Sequence, residues 1–122
     1  MENYIGLFIG VENYQNPDFL KKVVYAQDDA TGVRQAFIDL GCFEDRLELV
    51  LSERATNATV RAKLKGLCAK ALADDVIVMY YAGHGLSTGL GNRITCVDTT
   101  KEDLDGSTIG LKEVLSLFET SA

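Results

Sequence analysis

The sequence predicts an α/β fold in which helices cover both faces of a mainly parallel sheet. Nearly continuous apolar runs, apolar residues at helical spacing, and the order strand, helix, strand, helix, strand all indicate this class. Apolar runs of this kind are typical of strands that are buried on both faces. Crossover connections in such sheets are right-handed. Because the strands run parallel, their carboxyl ends share one edge.

The first strand and helix are predicted from the amino-terminal third of the chain. Residues 4–11 (YIGLFIGV) form an apolar run broken only by glycines, as expected of a buried strand. A helix is predicted over residues 26–40, with Gly41 at its carboxyl-terminal cap. Its apolar face consists of Ala26, Ala30, Val33, Phe37 and Leu40.

The second helix lies between two further predicted strands, at residues 46–51 (RLELVL) and 76–82 (VIVMYYA). Thr56 or Asn57 is suited to cap this helix. Its predicted apolar face consists of Val60, Leu64, Leu67, Cys68, Ala71 and Leu72. In the third strand Tyr80 and Tyr81 should face opposite sides of the sheet, because side chains alternate along a strand.

The remaining sequence predicts shorter elements. A glycine-rich loop is expected at residues 85–92 (GLSTGLGN), a short strand at 93–98 (RITCVD), a polar loop at 99–108 and a helix at 111–118. No further strand pattern follows this helix. We therefore expect an unfinished sheet of three main strands with an apolar edge that needs a neighbour.

Composition narrows the class of protein. The chain is 47% hydrophobic and 25% charged, which favours a globular domain over a disordered chain. A net charge of −6 disfavours nucleic acid as a partner and fits a basic ligand better. The first residues show no secretory signal and no membrane-spanning run, so a cytoplasmic location without a membrane partner is expected.

His84 is the only histidine, and it lies between two glycines directly after the third strand. Sheets of this class bind ligands beyond the carboxyl ends of their strands. A solitary histidine is more often structural, but the glycines leave room for a substrate, and the N–H of Gly85 is suited to hold an oxyanion. A histidine that cleaves peptides needs a nucleophile, and Cys96 is the one candidate in the chain.

The other two cysteines are predicted to be structural. Cys42 and Cys68 occupy positions typical of small buried apolar residues. The three cysteines show no metal-ligand spacing and, without a secretion signal, suggest free thiols. We expect neither a disulfide nor a zinc site.

Several ordered motifs resemble those of the caspase-like cysteine peptidases, and their metacaspase-type and bacterial relatives more than the animal caspases. The motifs are IGLFIGVENY, VVYAQDDATGVRQAFIDLG, LVLSERATNATVRAKL, DDVIVMYYAGHG, RITCVD and IGLKEVLSLF. The strongest is DDVIVMYYAGHG, which is similar to the family's strand ending in Tyr-x-Gly-His-Gly. Two positions depart from the pattern. Tyr25 replaces a usual glycine, and Cys96 falls near a common proline and not at the position of the nucleophile.

The resemblance implies a three-layer caspase-like sandwich that is incomplete in this chain. Residues 1–122 would be the amino-terminal part of one peptidase domain, without the strand that carries the catalytic cysteine. His84 would be the acid and base of a Cys/His dyad, Gly85 would supply an oxyanion N–H, and the substrate would be a polypeptide. The cysteine would come from a carboxyl-terminal segment or a second chain. The ending FETSA lacks the Arg, Lys or Asp expected after self-cleavage, so truncation is favoured over autoprocessing.

The resemblance to metacaspases also implies that Asp29, together with Asp28, lines a pocket for an Arg or Lys side chain of the substrate. An alternative is that both carboxylates only stabilise the start of the first helix by interaction with its dipole.

Two other classes of function also fit parts of the sequence. The chain could belong to a caspase-like module that has lost its nucleophile and acts through interactions. A flavodoxin-like nucleotide binder fits the alternation of strands and helices, but the first connection has no phosphate-binding glycine loop. No cofactor is expected, and calcium is the one alternative considered. Glu102, Asp103 and Asp105 could bind it, although their spacing is not that of an EF-hand and a solvated loop is the favoured interpretation.

Overall fold

The computed structural model describes residues 2–119, so the expectation about the final residues 120–122 lies outside the described part. The first sheet contains β1 (Tyr4–Gly10), β2 (Leu47–Leu51) and β3 (Val76–Ala82) in the order β2-β1-β3. Both pairings are parallel. Helices α1 (Ala26–Asp39) and α2 (Asn57–Lys70) provide the crossovers. The predicted α/β class with a parallel sheet is confirmed.

Strand β1 lies at the centre of the sheet, and its side chains alternate between two apolar cores. Leu7, 1% exposed, packs in the core on the α2 side, and Phe8, 0% exposed, packs on the α1 side. Tyr81 and Tyr80 contact the same two cores respectively, which confirms their predicted opposite orientation. The molecule therefore has three layers, with β1 buried from both sides.

Helix α1 begins at the carboxyl end of β1 and packs closely on it. A Cβ atom added at Gly10 would lie 2.6 Å from the carbonyl oxygen of Ala26 and 3.0 Å from the Cβ of Ala30. Tyr25 precedes the helix in the left-handed conformation, with φ of 72°. Glycine enters this region at the lowest cost, which gives a physical reason for the family's glycine at this position.

Helix α2 begins at a set of polar contacts. Thr56 caps it, because its hydroxyl accepts a hydrogen bond from the N–H of Thr59 at 3.2 Å. Oδ1 of Asp98 accepts from both the backbone N–H and the side-chain amide of Asn57, at 3.0 and 2.9 Å. Asp98 thus ties the polar segment in which it lies to the start of α2.

A second, antiparallel sheet follows His84, and this corrects the predicted glycine-rich loop at 85–92. It contains β4 (Gly85–Thr88), β5 (Gly91–Thr95) and β6 (Thr108–Gly110), in the order β4-β5-β6. The sequence gives no strand pattern for the β4–β5 hairpin, because its strands are short, only partly buried, and rich in glycine and polar residues. Helix α3 (Leu111–Glu119) directly follows β6.

The predictions for Leu40, Leu72 and Cys96 were wrong in detail. Leu40 and Leu72 are 64% and 69% exposed, because α1 and α2 end before them and the chain turns toward the next strand. Strand β5 ends at Thr95, so Cys96 follows the strand and does not lie within it. The prediction for Gly41 is confirmed, because this residue has the left-handed conformation of a helix-ending glycine, with φ of 106°.

Strand β3 has an unpaired edge in the described part of the chain. It pairs with β1 on one side, and no other strand among residues 2–119 pairs with it. None of the helices in this part of the chain has the length and apolar character needed to cross a membrane.

The contact between β1 and α1 gives a stability prediction. Gly10→Ala should lower the free energy of unfolding by about 1 to 3 kcal/mol, because the new methyl group would overlap a backbone carbonyl that cannot move without shifting α1. Urea unfolding followed by circular dichroism measures this change.

Gly32→Ala is the matched control. Apart from the backbone of α1 itself and the neighbouring residues, no atom lies within 4 Å of a Cβ at Gly32, so alanine should stabilise the protein by about 0.5 to 1 kcal/mol. Equal effects of the two substitutions would contradict the close packing at Gly10.

Candidate active site

His84 follows β3 at the carboxyl edge of the first sheet. The N–H of Val11, just after β1, donates to the carbonyl of Ala82 at 2.9 Å, so the two strand ends are held side by side. The segment between β1 and α1 then passes over the histidine. The sheet edge that the sequence predicted is therefore where the structure places the imidazole.

The imidazole of His84 has a fixed partner. Its Nε2 lies 2.7 Å from the carbonyl oxygen of Lys21. A carbonyl oxygen only accepts hydrogen bonds, so the neutral ring carries its proton on Nε2 and has a lone pair on Nδ1. The ring of Tyr14 packs beside it, with centroids 5.4 Å apart and an interplanar angle of 44°. These contacts leave Nδ1 as the basic atom of the ring.

The backbone of His84 is held as firmly as its side chain. Its N–H donates to the hydroxyl of Tyr14 at 2.8 Å. Its carbonyl oxygen accepts from the backbone N–H of Thr95 at 3.2 Å and from the hydroxyl of Thr95 at 2.8 Å. The hydroxyl of Tyr81 lies 3.0 Å from the same oxygen, and burial raises the pKa of this phenol far above its usual range.

Gly83, the first glycine of the GHG motif, is required by these tyrosines. A Cβ atom at this position would overlap the hydroxyl of Tyr81 and lie 3.0 Å from the hydroxyl of Tyr14. Any larger residue would displace one phenol or the other. The glycine therefore allows both hydroxyl groups to approach the backbone next to His84.

Gly85 is exposed and begins β4. It pairs with Ile94, and the bond from the N–H of Thr95 to the carbonyl of His84 makes this a non-hydrogen-bonded pair of the antiparallel ladder. The N–H of Gly85 consequently points away from β5. Beside it lies an open groove of about 510 Å³, lined in part by Tyr81, Gly83, Leu86 and Leu111.

Asp28 and Asp29 lie in the first turn of α1, and both are exposed. Neither carboxylate forms a hydrogen bond or an ion pair with any residue between 2 and 119. The backbone N–H of Asp29 donates to the carbonyl of Tyr25 at 2.8 Å within the helix start. The structure thus places both carboxylates, free of partners in the described region, at the start of a helix whose preceding segment contacts His84.

Cys96 is a buried thiol and a poor nucleophile. It is 1% exposed, and burial raises its pKa to about 12, with the nearby carboxylate of Asp98 adding to the effect and Arg61 opposing it. Cys42 is 4% exposed and packs with Phe8, as predicted, whereas Cys68 is only partly buried. All three are free thiols.

The acidic loop does not gather its carboxylates into one site. Glu102 accepts from the hydroxyl of Thr100, which lowers its pKa, and Asp103 accepts from the N–H of Gly106 at 3.1 Å. Asp105 lies 4.0 Å from Nε of Arg93. Among the residues that the structure describes, no group of three or more His, Cys, Asp or Glu side chains is arranged to hold a metal ion.

Sequence reasoning missed the residues that orient the histidine. Tyr14 ends the motif IGLFIGVENY and Thr95 lies within RITCVD, and these motifs could have drawn attention to both residues, whereas Lys21 belongs to none of the quoted motifs. Lys21 acts through its backbone carbonyl, an atom that every residue type possesses. Only the folded chain brings these groups together.

The burial of Cys96 predicts its reactivity. At pH 8 a thiol with a pKa of about 12 is ionised in about one molecule in ten thousand, so iodoacetamide should leave Cys96 unmodified in the native chain and alkylate the partly buried Cys68 first. Mass spectrometry of peptides locates the label, and unfolding in urea should expose all three thiols. Labelling of Cys96 in the native state at its rate in urea would contradict the burial of its thiol.

Comparison with known proteins agrees with this arrangement. The family model of the caspase domain matches residues 4–120, which is nearly the whole chain and includes both sheets and His84. A search of curated protein sequences finds no match. The chain therefore belongs to the caspase-domain family of cysteine peptidases.

Proposed function

We propose that this chain supplies the imidazole part of a cysteine endopeptidase and is inactive without a cysteine provided from elsewhere. The hydrogen bond from Nε2 of His84 to the carbonyl of Lys21 is the observation that carries the proposal. This bond orients the ring and keeps the lone pair on Nδ1. A histidine in this state is prepared to accept a proton from a thiol.

The proposed reaction uses the two ring nitrogens differently. Nδ1 of His84 takes the thiol proton, and the thiolate attacks the scissile carbonyl carbon to form a C–S bond. The oxygen becomes an anion, which the outward-pointing N–H of Gly85 stabilises. The imidazolium then returns its proton to the leaving amine as the C–N bond breaks. Nε2 keeps its bond to Lys21 throughout, and water later hydrolyses the thioester.

The cysteine has a natural position beside β3. A further strand pairing in parallel with the open edge of β3 would end at the same edge of the sheet as His84. We propose that a cysteine at the end of such a strand, from a carboxyl-terminal segment or a second chain, faces Nδ1. In this arrangement residues 1–122 are the amino-terminal part of one peptidase domain.

We propose a polypeptide substrate with Arg or Lys before the scissile bond. Asp29, with Asp28 beside it, offers an exposed carboxylate with no partner in the described region, at the end of the sheet where His84 lies. A guanidinium pairs well with a carboxylate, and a chain of net charge −6 favours a basic substrate over an acidic one. This specificity corresponds to the metacaspase-type branch of the family. Three free thiols suit a reducing compartment, so we propose a cytoplasmic location.

The dyad is tested by His84→Ala in protein expressed from its full reading frame. Cleavage of fluorogenic peptides ending in Arg or Lys should fall to background, because the substitution removes the group that takes the thiol proton and residues 1–122 hold no second histidine to replace it. Lys65→Ala, on an exposed position of α2, is the control and should keep full activity with the same circular dichroism spectrum. Retained cleavage in a folded His84→Ala protein would remove this residue from the reaction.

The basic specificity is tested by Asp29→Asn in the same protein. We expect KM for Arg and Lys peptides to rise by about tenfold or more, the loss of one charge-assisted pair, with little change in kcat. Asp39→Asn, at the other end of α1, is the matched control and should leave KM unchanged. If Asp29 only stabilises the helix start, the substitution will lower thermal stability and leave KM alone.

A second candidate function is a caspase-like interaction module without catalysis. The burial of Cys96 favours such a module, because the thiol of Cys96 is too buried and too weakly ionised to act as the nucleophile itself. The same experiments separate the two functions. Intact-mass analysis that finds a single polypeptide, together with an absence of turnover on Arg, Lys and Asp peptides, would support the module.

A further inference from the structure

We propose that Tyr14 and Thr95 are positioning residues, which close a ring of hydrogen bonds around the backbone of His84 and thereby aim its imidazole. The inference deepens the proposed peptidase function and, for its role in catalysis, rests on it. The ring runs from the N–H of His84 to the hydroxyl of Tyr14, to the hydroxyl of Thr95, and back to the carbonyl of His84.

The direction of every bond in this ring is fixed by chemistry. The N–H of His84 only donates, so the Tyr14 oxygen accepts from it at 2.8 Å. The His84 carbonyl only accepts, so Thr95 spends its single hydroxyl proton there, at 2.8 Å. The remaining bond, 2.7 Å long, must then run from the Tyr14 hydroxyl to the Thr95 oxygen. Each hydroxyl donates once and accepts once.

The hydroxyl of Tyr81 lies beside this ring of hydrogen bonds. Its hydroxyl lies 2.7 Å from the backbone carbonyl of Thr95, its shortest contact, and donating there holds β5 against the end of β3. The approaches of this hydroxyl to His84 and Thr95 Oγ1 are both 3.0 Å. We assign its proton to the shorter bond.

The ring is shielded from water. Tyr14 is 7% exposed and Thr95 is 0% exposed, so solvent does not compete for the bonds between their hydroxyl groups. In a low-dielectric interior each such bond strengthens its neighbours, and a missing member leaves a buried polar group unpaired. Loss of one hydroxyl should therefore disturb the whole ring and not a single bond.

The ring acts on the imidazole through the backbone. The ring of hydrogen bonds fixes the backbone N–H and the carbonyl of His84. The carbonyl of Lys21 fixes Nε2 at the far end of the His84 side chain. With both ends held, Nδ1 has one direction in which to face. Thr95 belongs to β5, so the second sheet takes part in orienting a histidine that follows the first.

If Tyr14 and Thr95 only stabilised the fold, a folded variant without one hydroxyl would leave the imidazole of His84 unchanged. Because residues 1–122 contain a single histidine, NMR can test this. Thr95→Val removes the hydroxyl at almost constant shape, and Thr95→Ser restores it. Long-range proton–nitrogen NMR of His84 reports the tautomer and orientation of one imidazole with no overlap from others. We expect the parent and Thr95→Ser to show the Nε2-protonated form, and Thr95→Val to show nitrogen shifts moved toward a mixture of both forms.

Tyr14→Phe provides a second variant in case Thr95→Val fails to fold. This substitution removes the other hydroxyl group of the hydrogen-bond ring. It should move the nitrogen chemical shifts of His84 in the same direction as Thr95→Val does. Tyr80→Phe is the matched control, because the Tyr80 hydroxyl makes no hydrogen bond to any residue from 2 to 119. If the folded Thr95→Val and Tyr14→Phe proteins both keep the parent nitrogen shifts, the ring does not position the imidazole and the proposal is wrong.

Kinetics then separate this proposal from the proposed function. In protein from the full reading frame, Thr95→Val and Tyr14→Phe should lower kcat by about 100-fold with KM nearly unchanged, as expected when a reacting group is misplaced. Thr95→Ser should recover most of the rate. If the parent cleaves no peptide, the peptidase function fails while the NMR result still decides whether the ring positions His84. A parent that cleaves, with variants of unchanged kcat, overturns the positioning role alone.

Discussion

The burial of β1 on both faces is the constraint on which the rest of the structure depends. A strand that alternates Leu7 and Phe8 into two separate apolar cores requires a helix on each side. That requirement sets α1 and α2 as crossovers, aligns β2 and β3 in parallel, and brings the ends of β1 and β3 to one edge. The loop after β1 must then cross this edge to reach α1. On this loop the carbonyl of Lys21 meets the imidazole of His84.

The first sheet and the position of His84 could be predicted from the sequence, because each element carries a regular apolar pattern. The second sheet could not. Its strands are short and rich in glycine and polar residues, and Gly85 to Thr88 reads as a loop by composition. Leu40 and Leu72 continue a helical period beyond the point where the helices end, so periodicity alone misplaced them. The surroundings of His84 depend on residues distant in sequence, which no local pattern reveals.

Tyr25 shows how a departure from a family pattern can be understood physically. The backbone there adopts a left-handed conformation, which for a residue with a side chain costs about 1 to 2 kcal/mol. The close packing of Gly10 on Ala26 fixes where α1 must begin, so the chain keeps this conformation even without glycine. The aromatic ring of Tyr25, 65% exposed, is part of the surface beside α1.

The ring of hydrogen bonds around His84 joins parts of the chain that lie far apart in sequence. Tyr14 is 70 positions from His84 and 81 positions from Thr95. Such long-range contacts form late, after the entropy of closing the intervening loops has been overcome. A chain still emerging from the ribosome holds the histidine without its supports until residue 95 has been made and β5 has paired. The imidazole is therefore oriented only in a molecule whose two sheets are both in place, which ties the competence of the site to the order of folding.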